Sequence, residues 1–99
     1  MKYKLSYRII EKMQYDNFGN FIRTKRQSLK KSLNNFSFDC GIEPATLSNF
    51  ERNKSDILFS NFVKIAKGFN ASPSELLTEF EIYTQSIAKS QWNKLKANS

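Results

Sequence analysis

Residues 41–52 read Gly41-Ile42-Glu43-Pro44-Ala45-Thr46-Leu47-Ser48-Asn49-Phe50-Glu51-Arg52. Gly41 suits the position just past a helix end, where the backbone commonly needs a positive φ. Pro44 suits the first position of the next helix, because its φ is preset and its missing N–H has no partner to lose there. Glu43, the residue before proline, is pushed to an extended conformation and marks the turn between the two helices. In the helix so opened, Leu47 and Phe50 stand three apart and face inward. Pro44, Ala45, Ser48 and Asn49 are left on the outer face. The expected element is a short helix, apolar beneath and small or polar on its free side.

Upstream of Gly41, Ser32 is placed to cap a helix whose inner side carries Phe36 and Cys40, four apart. Before that, Asp16 or Asn17 can cap a helix beginning near Phe18. Phe18, Phe21, Ile22 and Leu29 fall near one of its faces, with Arg23, Lys25, Arg26 and Lys30 around the rest. Downstream, Asn53 to Asp56 reads as a polar turn. A fourth helix is expected from Phe59 or Ser60 to Phe69, with Phe62, Ile65, Ala66 and Phe69 as its stripe and Asn70 in the left-handed position after it. Ser72-Pro73-Ser74-Glu75 forms a capping box with proline at the first helical position, and it opens a fifth helix carrying Leu76 and Leu77.

The ends read differently. Tyr3, Leu5, Tyr7 and Ile9 alternate with Lys2, Lys4, Ser6 and Arg8, which fits a strand or extended arm, while Ile10 and Met13 continue an apolar set at helical spacing. At the other end Phe80, Tyr83, Ile87, Trp92 and Leu95 can line an amphipathic helix. Either end serves as a core-covering terminus or as a dimer contact, since aromatics at this density usually meet something. The organisation expected is an N-terminal arm over 1–17, a compact helical domain over 18–77 and a C-terminal helical extension over 78–99.

The chain has 99 residues, enough for one domain, and nine phenylalanines that can fill much of a modest core. Sixteen Lys and Arg against nine Asp and Glu leave a net charge of +7, a field that favours a polyanionic partner and equally a soluble, self-repelling surface. There is no histidine and one cysteine, so neither a zinc constellation nor an internal disulfide can be assembled. Cys40 sits at a helix end, as a small buried apolar residue or as a reactive thiol. No paired acidic cluster or phosphate-cradling glycine loop accompanies the missing histidine, so no catalytic set and no cofactor are expected. No apolar run approaches the roughly 20 residues that span a bilayer. The basic start lacks the apolar stretch of a secretory signal, which leaves the cytoplasm as the default location.

Two helices flanking a glycine turn, the second short and apolar on one side only, describe a helix-turn-helix. The small Ser37 lets the helices approach, Gly41 turns the chain, and Leu47 and Phe50 anchor the second helix. With those residues in place, the stretch Phe18–Leu77 resembles the Xre family, the Cro-and-repressor type of helix-turn-helix regulator. The landmarks are Ile22, Arg26, Ser32, Gly41-Ile42, Thr46-Leu47-Ser48, Glu51-Arg52, Lys64-Ile65-Ala66-Lys67 and Ser72-x-x-Glu75-Leu76-Leu77. The resemblance implies an all-α, five-helix repressor-like domain that dimerises and binds double-stranded DNA at an operator of two half-sites.

Position by position, the resemblance assigns Arg26 and Glu51 to a pair tying the first helix to the third; the alternative is two separate surface charges. It assigns Pro44, Ala45, Ser48 and Asn49 to base edges. Asn49 suits bidentate contact with adenine, and Pro44 and Ala45 suit a thymine methyl. Ser32, Thr46, Arg52, Asn53 and Lys54 match positions at the phosphate backbone, where contacts fix register without reading sequence.

The chain departs from the family pattern at four points. Leu33 stands where a glutamine is common, and Lys30 and Lys31 stand where glycine and a large apolar residue are common, so Leu29 or Leu33 is expected to fill the first turn. The reading helix has no Arg or Lys before Arg52, which shifts weight from guanine contacts to the shape of the operator. The tail Glu51–Ile57 lacks a proline, in which the chain is similar to the controller proteins of restriction–modification systems. A protein-interaction module on the same fold, such as an antitoxin whose ends wrap a partner, is the other function open at this point.

Overall fold

The computed structural model of the chain describes residues 17–97, among which there are five helices and no strand. Helix α1 covers residues 17–28, α2 Leu33–Cys40, α3 Pro44–Glu51, α4 Phe59–Gly68 and α5 Pro73–Ala97. The expected arm over 1–17, with its choice between strand and helix, lies outside the described residues apart from Asn17.

The starts of the helices follow the residues that open them. Ser32, extended at ψ 161°, turns its hydroxyl oxygen onto the Asn35 N–H at 3.1 Å, satisfying one of the orphan donors of the first turn. Glu43 is extended and Pro44 begins α3. At α5 the capping box closes in both directions: Glu75 N–H donates to Ser72 Oγ at 3.1 Å, and Ser72 N–H donates to Glu75 Oε1 at 3.0 Å. The Ser72 backbone N–H, and after it the Ser72 hydroxyl, hold the Glu75 carboxyl below its usual range.

The ends share one geometry. After each of α1 to α4 a residue with positive φ bends the chain back: Lys30 (58°), Gly41 (73°), Asn53 (56°) and Asn70 (59°). Each time the next N–H reaches five residues back, as in Ile42 to Ser37 O at 3.0 Å and Lys54 to Asn49 O at 2.9 Å. This is the Schellman closure.

The core is built evenly. Ile22 of α1, Phe36 of α2, Leu47 of α3, Ile65 of α4 and Leu76 of α5 are all fully buried. Phe36 and Phe69 lie 4.4 Å apart between ring centroids. A second aromatic group closes one end of the bundle: Phe18 meets Phe80 edge-on at 4.9 Å, and Phe21 touches both Phe80 (5.5 Å) and Tyr83 (5.4 Å). On the surface nearby, Lys25 lies 5.2 Å over the Phe69 ring and bonds Glu79 at 2.7 Å, linking α1, the end of α4 and α5.

The expectation for Leu29 needs correction. Leu29 does not complete the inner face of α1; the helix stops one residue earlier and Leu29 is 49% exposed, while Leu33 packs against the core in the first turn. Leu77 is exposed beside the fully buried Leu76. The phenylalanines are not all core residues, since Phe38 and Phe59 are 87% and 75% exposed. No break marks residue 78: α5 runs straight through, and Phe80 and Tyr83 pack on the same core as residues 18–77. The side chains of Trp92 and Leu95 lie outside the described ones.

Candidate nucleic-acid interface

The geometry around α3 starts from what is beneath it. Leu47, Phe50 and Glu51 are buried. Ser37 of α2, 1% exposed, folds its hydroxyl onto the Asn34 carbonyl at 2.8 Å, so no polar group is stranded where α2 and α3 meet. A larger side chain at that point would hold the two helices apart. Gly41 carries the left-handed turn between them, and an added side chain would meet open space but an unfavourable backbone.

α1 holds α3 at two points. Arg26 Nε donates to Glu51 Oε2 at 2.7 Å and Arg26 Nη2 to Glu51 Oε1 at 2.9 Å, a bidentate pair. Arg26 Nη1 also donates to the Lys31 carbonyl at 2.8 Å, tying the α1–α2 turn to the same guanidinium. The hydrogen bond to Glu51 raises the Arg26 pKa further, against the opposing effect of burial, so the guanidinium stays charged at any ordinary pH. The second point is Gly19, whose N–H donates to Asn53 Oδ1 at 3.1 Å. Nothing in the residue types of that pair identifies it in advance. The available signal is an isolated glycine inside a helical pattern, which marks a close backbone approach.

On the opposite side of α3 the surface is small and open. Pro44 and Ala45 are exposed; Thr46, Ser48 and Asn49 are half-buried; Arg52, Asn53 and Lys54 are exposed at its end. Arg52 Nη2 reaches Asn49 Oδ1 at 3.5 Å, at the outer limit of a hydrogen bond. Ser32 is exposed at the start of α2, and its hydroxyl, accepting from Asn35, still has its proton to give. Among the described residues the ion pairs are Lys25–Glu79, Arg26–Glu51 and Lys31–Asp39, so Arg52 and Lys54 carry charge that no carboxylate there neutralises. Asn53, exposed at the same end, differs in that its amide oxygen accepts from the Gly19 N–H.

Cys40 is buried, and desolvation, with Asp39 adding to it, pushes its thiol up to about 12, so it stays protonated at neutral pH and packs as a small apolar side chain. Among the described residues no group of three His, Cys, Asp or Glu could hold a metal ion, and no helix is long and apolar enough to cross a membrane.

A glycine turn between two packed helices, the second with its outer face open, defines the helix-turn-helix class of DNA-binding domain. The chain belongs to this family: residues 22–76 match the model described as Helix-turn-helix, in its Xre-like form. The fold is also similar to the crystal structure of the clp gene regulator ClgR from Corynebacterium glutamicum, with a TM-score of 0.68 and 17% sequence identity over 85% of this chain and 88% of that one. No curated protein matches the sequence.

Proposed function

We infer that the protein is a sequence-specific transcriptional regulator that binds a near-palindromic operator as a homodimer, with α3 lying in the major groove. One observation carries the reading: the outer face of α3 is uncharged at Pro44, Ala45, Ser48 and Asn49, and is followed at once by Arg52 and Lys54, cations outside the ion pairs of the described residues. Such a face is suited to base edges and such an edge to phosphates. Asn49 is the adenine reader, Ser48 serves several bases, and Pro44 and Ala45 meet thymine methyls. Ser32, Thr46, Arg52 and Lys54 fix register on the backbone. The unit that binds DNA spans residues 18–77, and regulation proceeds by occupancy in the cytoplasm, as a repressor. The similar ClgR structure is that of a gene regulator, which supports a regulatory role. The controller subtype draws on the tail Glu51–Ile57, which has no proline.

Selection of bound duplexes from a random pool, followed by footprinting, tests the reading. It predicts two protected half-sites centred one helical turn apart, roughly 34 Å, with affinity that falls steeply as salt rises. Recovery of no consensus would sink it. A second reading, an antitoxin or other protein-interaction module, draws on the exposed apolar side chains of Phe38, Leu58 and Phe59. It predicts a co-purifying protein partner that buries them.

A further inference from the structure

We propose that Gly19 and Asn53 form a clasp that sets the height of α3 above α1, making Asn53 a positioning residue for base reading in place of the phosphate contact the family resemblance assigns to it. The proposal rests on the DNA-reading function inferred above.

Gly19 is buried in α1, and its N–H donates to Asn53 Oδ1 at 3.1 Å. A Cβ there would collide with the Phe50 carbonyl oxygen and stand 2.6 Å from Asn53 Oδ1 and 2.9 Å from the Glu51 carbonyl oxygen. The last turn of α3 therefore rests directly on the backbone of α1, with no side chain between. Two turns further along α1, on the same face, Arg26 grips the Glu51 side chain. Both grips act on residues 50–53, the turn that carries Arg52 and follows Asn49.

Asn53 holds its place through a left-handed backbone with φ 56° and a side chain already committed inward. Its amide oxygen accepts from the Gly19 N–H, and any phosphate contact would fall to its amide nitrogen, so the salt slope decides between the two roles. The consequence separates the two kinds of contact. A base-edge hydrogen bond from the short Asn49 side chain fails within a few tenths of an ångström beyond its range. Arg52 and Lys54 are long and can follow a displaced helix to the phosphates. Lifting the end of α3 should remove discrimination and spare non-specific binding.

The test compares wild type, Gly19→Ala, Asn53→Gly and Asn53→Asp. Each is titrated over a salt series with the operator selected from a random pool and with an unrelated duplex of equal length, alongside thermal melts by circular dichroism. A wild type that does not distinguish the two duplexes removes the DNA-reading function itself, whatever the clasp does. Where it does distinguish them, Gly19→Ala and Asn53→Gly are expected to lose about tenfold or more in operator affinity, with unrelated binding and salt slope unchanged. Asn53→Asp keeps an acceptor for the Gly19 N–H, so the ratio between the duplexes returns while its added charge weakens both. Glycine accepts the left-handed backbone, so Asn53→Gly decides the matter if Gly19→Ala does not fold. Unchanged discrimination in Asn53→Gly overturns the clasp. So does a uniform loss with a salt slope shallower by about one, which would make Asn53 a phosphate contact.

Discussion

Of the four residues that end α1 to α4 with positive φ, one is glycine, two are asparagine and one is lysine. The first three are residues that visit the left-handed region at little cost; lysine is not, and the left-handed conformation costs an ordinary residue about 1–2 kcal/mol. Lys30→Gly is therefore expected to stabilise the fold by about 1 kcal/mol, read as a higher denaturant midpoint at constant slope. A lower midpoint would show that the Lys30 side chain does something the backbone argument omits. Lys54 is the counterpart on the functional side. It is exposed and outside the ion pairs of the described residues, so Lys54→Ala should weaken binding to all duplexes alike and reduce the salt slope by about one. An unchanged slope would take Lys54 off the phosphate backbone.

At the scale of elements, α3 is too short to be stable alone and takes its position from α1 and α2. Arg26 and Glu51 are 8% and 4% exposed and bonded at both ends, so removing one partner strands a buried charge. Arg26→Ala should cost about 3–5 kcal/mol in chemical denaturation, whereas replacing both residues by apolar ones of similar size should cost far less. Equal losses in the two variants would mean that packing, not the stranded carboxylate, is what Arg26 provides.

These elements were legible in unequal degree. Ser32, Gly41, Pro44, Asn70 and the Ser72–Glu75 box act through their own neighbours in sequence, and local chemistry marks them. Gly19 and Asn53 are 34 residues apart, and their meeting depends on how two helices cross, which no local pattern encodes. The same limit explains Leu29. Its spacing fits the α1 face, yet the chain leaves the helix at residue 29 to close on Lys30, and the side chain is carried out into solvent.

At the scale of the molecule, the helical domain does not end where the family landmarks end. α5 continues past Leu77 and brings Phe80 and Tyr83 onto Phe18 and Phe21, so the first and last described helices share one aromatic group. Phe80→Ala should cost about 2 kcal/mol in thermal or chemical unfolding, less than a fully buried ring because Phe80 is half-buried. A loss near zero would place residues 78–97 outside the cooperative unit. The surrounding helices hold the outer face of α3 at the surface, and in the proposed function that face reads bases. The most direct measurement is the affinity of wild type and Asn49→Ala for the selected operator with each base pair changed in turn. Asn49→Ala is expected to lose discrimination at one base pair in each half-site, by about 1–3 kcal/mol, and to keep it elsewhere. A uniform loss at every position, or none, would contradict that expectation.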